Sequence, residues 1–145
     1  MSADNPFHAT SVVIDGRVLL IAGPSGSGKS DLALRLIDRG ALLLSDDYTR
    51  LERRGDALIA TPPPAIAGKI EVRGVGIVEM AFASEGLVAL LVDLDAEVER
   101  LPEAPLATRR LEQVDIPVLA LSPFDASAAI KAELALIRHG LGGAS

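Results

Sequence analysis

The sequence predicts an α/β fold built around a glycine-rich anion-binding loop, and three observations carry that reading. A strand-like run ends at Ala22 and passes directly into Gly23-Pro24-Ser25-Gly26-Ser27-Gly28-Lys29-Ser30. Helical spacing of apolar residues follows from Lys29, with Leu32, Leu34, Leu36 and Ile37 set against Asp31, Arg35 and Asp38. A short all-apolar run, Ala41 to Leu44, then closes a strand-helix-strand unit.

The elements follow in order. Ser11 to Ile14 and Arg17 to Ala22 are β-branched or aliphatic and flank Asp15-Gly16, a pair that tolerates the positive φ angles of a type I′ turn, so they predict a β-hairpin. The helix from Lys29 stops at Gly40, a residue suited to the position after a C-cap. Ala41 to Leu44 reads as a strand covered on both faces, parallel to Arg17–Ala22 and ending at Ser45-Asp46-Asp47. Tyr48 to Arg53 and Ala57 to Thr61, around Gly55-Asp56, predict a more polar surface hairpin, after which Pro62-Pro63-Pro64 interrupts regular structure. Ile70 to Ile77 reads as extended at its start, with Glu71 and Arg73 on one side, and Leu87 to Val92 as a strand. Asp93 to Arg109 reads as a mobile loop, Ile116 to Leu121 as the last strand, and Phe124 to His139 as an amphipathic helix with Ala128, Ile130, Leu134 and Ile137 on its apolar side.

Composition limits what such a chain can do. Its 145 residues predict one domain, 1–145, with 140–145 a disordered tail. Fourteen basic against 20 acidic residues give a net charge of -6, which opposes long-range attraction to nucleic acid, and the four aromatic residues are too scattered for a base-stacking platform. The longest apolar runs fall far short of the ~18 residues needed to cross a bilayer, so no membrane partner is expected. No secretory signal is visible at Met1 to Pro6, and a cytoplasmic location is predicted. The absence of cysteine removes disulfides, thiolate metal sites and thiol nucleophiles. The two histidines, His8 and His139, stand 131 positions apart, which argues against a histidine metal cage.

The chemistry concentrates in three stretches. Gly23 to Ser30 fits the phosphate-binding loop pattern in full, between a strand and a helix. Its glycines let successive backbone N–H groups wrap a β-phosphate at a helix N-terminus, Lys29 bridges the β- and γ-phosphates, and the Ser30 hydroxyl is a ligand for Mg²⁺. Asp46 and Asp47 end a strand whose carboxyl end opens on the same sheet edge as that loop. Two adjacent acids permit two jobs, one oriented on Mg²⁺ and the other accepting a proton from an incoming hydroxyl; the plainer alternative is that Ser45-Asp46-Asp47 only begins a turn. Ile70-Glu71-Val72-Arg73-Gly74-Val75-Gly76-Ile77 lets backbone approach a ligand at its glycines, or is a salt-bridged surface strand. On residues alone, His8 reads as a buried hydrogen-bonded histidine more readily than a catalytic one.

With these stretches in view, the chain resembles the catalytic domain of the bacterial HPr kinase/phosphorylase family, over residues 7–80 most closely. The resemblance implies a P-loop-containing kinase domain of the HPr kinase/phosphoenolpyruvate carboxykinase-like type, with a central mixed β-sheet and flanking helices. It implies Mg-ATP-dependent phosphorylation of a serine on HPr or an HPr-like phosphocarrier of the phosphotransferase system. It also implies the reverse, in which inorganic phosphate attacks phosphoserine to give pyrophosphate. Position by position, Asp46 would be the base, Asp47 would support metal and base, Ser30 and Glu71 would serve Mg²⁺, and Gly23, Pro24, Ser25, Gly26, Ser27, Gly28, Lys29 and Ser30 would hold ATP. His8 would lie beside Asp46 and the transferred phosphate, and Arg73 would contact phosphate or a neighbouring subunit. Family members are commonly hexamers, so a homo-oligomer is expected, and the chain resembles short forms that consist of the catalytic domain. The alternatives are a P-loop small-molecule kinase, in which Arg100, Arg109 and Arg110 close over the acceptor, and an ATP-binding switch without turnover. A GTPase is disfavoured because the chain has no Asn-Lys-x-Asp motif.

Overall fold

The structure, a computed structural model, describes residues 5–142. Strands β1 (Ala9–Ile14) and β2 (Arg17–Ala22) form the expected hairpin, in register from Ala9 opposite Ala22 to Ile14 opposite Arg17. Asp15 and Gly16 both take positive φ, 49° and 78°, as a type I′ turn requires. Helix α1 (Lys29–Asp38) ends in a Schellman motif: with Gly40 at φ 112°, its N–H donates to Ile37 O and that of Ala41 to Leu36 O, each at 3.0 Å. Strand β3 (Leu42–Ser45) then runs parallel to β2, as expected, but pairs antiparallel with β1, which is inserted between them.

The sheet order is β3-β1-β2-β8-β10-β9, where β8 is Gly86–Asp93, β9 Thr108–Leu111 and β10 Val114–Ala120. Strand β8 is shared along its outer edge. Its first residues pair with β5 (Ala57–Thr61), which carries β4 (Arg50–Arg54), and its last three pair with β10. The sheet is therefore mixed, with β2, β8 and β10 parallel at its centre. Alternation along β2 divides the core: Leu19 and Ile21 face α1 and α2 (Ala128–His139), while Val18 and Leu20 face Leu51, Leu58 and Ile116. Leu43 and Leu44 of β3 likewise enter opposite clusters, which accounts for that strand's unbroken apolar run.

Four expectations need correction. Ile70 to Ile77 is a hairpin, not one strand: β6 (Lys69–Val72) and β7 (Gly76–Glu79) pair around a turn closed by Val75 N to Val72 O. Arg73 therefore lies in the turn and does not share a strand face with Glu71. The segment 93–109 is not loop throughout, since Thr108 opens β9; the β9–β10 turn places Glu112 and Gln113 at φ 47° and 67° without any glycine to mark it. Helix α2 starts four residues later than expected and buries Ala128, Ala129, Ala132, Ala135 and Leu136, leaving Ile130, Leu134 and Ile137 exposed. Small alanines let the helix approach β8 closely, so the bulkier side chains are those left outside. Finally, Gly140 to Gly142 are packed, with Leu141 N donating to Ala89 O and the Arg17 guanidinium donating to Leu136 O and Leu141 O; residues 143–145 of the expected tail lie outside the described residues.

The reversed face of α2 has a direct test in urea unfolding. Leu136→Ala, at a fully enclosed site, is expected to cost about 2–5 kcal/mol, whereas Leu134→Ala stays within about 0.5 kcal/mol of the parent.

Candidate active site

The loop between β2 and α1 is shaped by its glycines. Gly26 and Gly28 take φ 82° and 101°, and a Cβ on Gly28 would stand 3.2 Å from Pro123 Cβ. Gly28 caps α1 with no side-chain hydrogen bond, and the first intrahelical bond runs from Leu32 N to Gly28 O. The N–H groups of Lys29, Ser30 and Asp31 thus have no intrahelical acceptor and lie at the positive end of the helix dipole, a ready anion site. The Lys29 side chain is buried and its ammonium donates to Gly23 O at 3.0 Å and Pro24 O at 3.1 Å. It also stands 3.9 Å from the Asp47 carboxylate, so it is aimed across the loop at the end of β3.

The two aspartates occupy different environments because the chain turns sharply between them, with Asp47 at φ 67°. Asp46 is buried and accepts three hydrogen bonds: from Ser30 Oγ at 2.5 Å, Thr10 Oγ1 at 3.2 Å and Glu71 N at 2.9 Å. The Thr10 hydroxyl in turn accepts from Asp47 N at 3.0 Å. Asp47 is half-exposed, its side chain 52% accessible, and pairs with His8 Nε2 at 2.9 Å. The His8 ring stacks on Tyr48, centroids 5.0 Å apart. Below them lies a buried polar layer. Thr49 Oγ1 donates to Ala9 O at 2.9 Å, which leaves the Ser11 hydroxyl as donor in its 2.9 Å contact with Thr49.

The expected residues therefore converge, with differences. A cleft of about 920 Å³ is lined by the loop, Asp46, Asp47, Glu71 and Arg73. His8 is not on its wall and meets Asp47, not Asp46 as expected. Glu71 engages Asp46 through its backbone N–H and leaves its side chain exposed at the rim. Ser30 is bound to Asp46 rather than to Asp47, so the expected metal set of Ser30, Asp47 and Glu71 is split. Among the described residues no three His, Asp or Glu side chains cluster closely enough to hold a metal by themselves. That suits Mg²⁺ at a phosphate loop, where waters and phosphate oxygens fill most positions. Because the Ser30 hydroxyl hydrogen is engaged by Asp46, its oxygen lone pairs are free to face a cation. None of Arg100, Arg109 and Arg110 lines the cleft: Arg109 sits 5.0 Å over the Phe7 ring and Arg110 is 3.6 Å from Asp115.

Sequence reasoning missed Thr10, Tyr48 and the Pro123-Phe124 wall. Thr10 lies on β1, two residues after His8, which immediately precedes that strand, and this spacing was the available signal that both side chains reach one site. Nothing local marks Pro123 and Phe124, which meet the loop only through the fold.

The sequence profile described as HPr Serine kinase C-terminal domain matches residues 1–119. A curated relative from Prosthecochloris aestuarii, named HPr kinase/phosphorylase, is 32% identical over 128 residues, 79% of this chain and 37% of that protein. Another of that name from Clostridium botulinum is 38% identical over 80 residues, 55% of this chain and 26% of that protein. The chain thus spans roughly a quarter to two fifths of the length of these relatives. The solved structure titled Hpr(Ser) kinase/phosphatase from Coxiella burnetii superimposes with a TM-score of 0.77 at 28% identity, covering 90% of this chain and 87% of that one.

The Thr10 hydroxyl holds both aspartates from inside the core. Thr10→Val is expected to lower stability by about 1–3 kcal/mol in chemical unfolding, because the Asp47 N–H loses its acceptor and Asp46 one donor, while Thr10→Ser retains most of it.

Proposed function

Because the chain belongs to the HPr Serine kinase C-terminal domain family, we propose that it transfers the γ-phosphoryl group of ATP to a serine hydroxyl of HPr or an HPr-like phosphocarrier protein. The observation that carries this reading is the 3.9 Å approach of the Lys29 ammonium to the half-exposed Asp47 carboxylate, which sets an anion cradle and a proton acceptor at one cleft.

The roles follow from environment. Backbone N–H groups from Gly26 to Ser30 and the Lys29 ammonium bind the β- and γ-phosphates and stabilise charge on the transferring group. Asp46, committed to three donors, serves as the fixed point that orients Ser30. Asp47 takes the role of base: its carboxylate is accessible, and His8 Nε2 holds its Oδ1, the oxygen that also faces Lys29, at 2.9 Å. The acceptor serine Oγ attacks the γ-phosphorus as its proton passes to Asp47, and the bond to ADP breaks. Bound Mg²⁺ supplies charge neutralisation on the phosphate oxygens, with Ser30 as its protein ligand and the Glu71 side chain at the rim as a further candidate. In the reverse direction a phosphate oxygen attacks the phosphoserine phosphorus, pyrophosphate leaves, and protonated Asp47 returns its proton to the serine oxygen. Arg73, in the hairpin turn at the cleft, is placed to meet phosphate.

A small-molecule acceptor loses support because the arginines that could have closed over one lie away from the cleft. A switch without turnover loses support from Asp47, which an anion-binding loop alone does not need. No helix among the described residues is long and apolar enough to cross a membrane. The family supports a protein partner met in the cytoplasm, and the net charge of -6 disfavours nucleic acid. The exposed apolar side of α2 supports a homo-oligomer.

The test is incubation with γ-labelled ATP, Mg²⁺ and the cognate phosphocarrier, followed by inorganic phosphate and assay of pyrophosphate. Label on serine is expected; its absence with every phosphocarrier, while metabolites are labelled, overturns the protein-acceptor reading. Asp47→Asn is expected to lower phosphotransfer at least ~10²-fold with ATP affinity retained, and Lys29→Ala to abolish nucleotide binding in calorimetry.

A further inference from the structure

We infer that Phe124 is the platform on which the base of the bound nucleotide stacks, an inference that rests on the nucleotide-dependent reading above. The chain has three phenylalanines, one tyrosine and no tryptophan. The others have protein against their rings: Phe7 lies under the Arg109 guanidinium, Tyr48 stacks on His8, and the Phe82 ring covers Gly68, where an added Cβ would come within 2.8 Å of it. Phe124 is 83% exposed and yet lines the cleft.

Its backbone is held firmly. The Arg35 guanidinium, two turns into α1, donates to the carbonyls on either side, that of Pro123 and, at 3.2 Å, that of Asp125. The Asp125 carboxylate is tied to Lys131 at 3.3 Å. One helix therefore presents the phosphate-binding N–H groups at its start and fixes Phe124 from its last turn. A Cβ on Gly28 would lie 3.9 Å from the Phe124 ring edge, so the ring borders the N-terminus of α1. A nucleotide whose phosphates fill the loop must extend its sugar and base outward, and Pro123 and Phe124, which border Gly28, are among the residues lining the cleft there. An exposed apolar ring on a pre-fixed backbone at the edge of the loop suits a flat, partly apolar base. It offers nothing to a phosphate, so the residue acts on the part of the ligand that inorganic polyphosphate lacks.

The experiment compares calorimetric titrations of Mg-ATP and Mg-tripolyphosphate into the parent chain, Phe124→Ala and Phe124→Trp. The parent is expected to bind ATP more tightly than tripolyphosphate. Phe124→Ala is expected to lose about tenfold in ATP affinity, toward the low end of what base-aromatic stacking contributes, with tripolyphosphate affinity unchanged within twofold. Phe124→Trp is expected to retain ATP affinity, and its indole, the only one in the chain, to be quenched by ATP and not by tripolyphosphate. Equal loss for both ligands in Phe124→Ala would show a disturbed loop and overturn the platform. Unchanged ATP affinity overturns it too, including the case in which only KM for the protein acceptor rises. A parent that binds tripolyphosphate as tightly as ATP removes the platform alone. A parent that binds neither removes the phosphoryl-transfer reading and the platform with it.

Discussion

The buried carboxylate of Asp46 is the constraint around which the rest of the site is arranged. A charge at that depth persists only if its lone pairs are met by donors, and three arrive from three elements: Thr10 from β1, Ser30 from α1 and the Glu71 N–H from β6. Each donor fixes its element relative to the end of β3. The phosphate loop is thereby clamped at its exit, the β6–β7 hairpin is clamped at the cleft edge, and the first hairpin is held under both. The left-handed turn at Asp47 separates the two carboxylates, so that one is buried and the other half-exposed.

Much of this was legible in the sequence, for local reasons. Asp15-Gly16 specified a hairpin because both residues tolerate positive φ, and Gly40 specified a helix end for the same cause. Gly23 to Ser30 specified an anion cradle because the pattern encodes backbone geometry directly. The failures were equally physical. The β9–β10 turn is built from Glu112 and Gln113 in a conformation such residues rarely enter, so no signal marked it. The stretch from Ile70 to Ile77 has strand-like composition throughout, and only Gly74 and Gly76, which the reading took as places of close approach, hint at the reversal. The helical pattern near the C-terminus pointed to Ile130, Leu134 and Ile137 as core, since larger apolar residues carry more weight than alanine. The sheet selected the alanine side because it allows a closer approach.

The site shows the same division. Residues within one motif were found together, and their presence at one cleft was foreseen from the rule that parallel strands open on one edge. The unequal surroundings of Asp46 and Asp47 were not, since they depend on which carboxylate meets Ser30, Thr10 and the backbone N–H of Glu71, 25 positions away. Adjacent residues of one type carry no sequence signal of unequal surroundings. Phe124 was invisible for a related reason: its distance from the loop along the chain is closed by the parallel pairing of β10 with β8 and of β8 with β2, and by the grip of Arg35 on its flanking carbonyls.

The anchorage of the last described residues has a practical side. Arg17, at the opening end of β2, grips the carbonyls of Leu136 and Leu141, and Leu141 reaches back to Ala89. The phosphate loop leaves the opposite end of β2, roughly 17 Å away at about 3.3 Å per residue. Leu141 and Gly142, the last described residues, therefore lie on the far rim from the cleft, so that an attachment made beside them leaves the mouth clear.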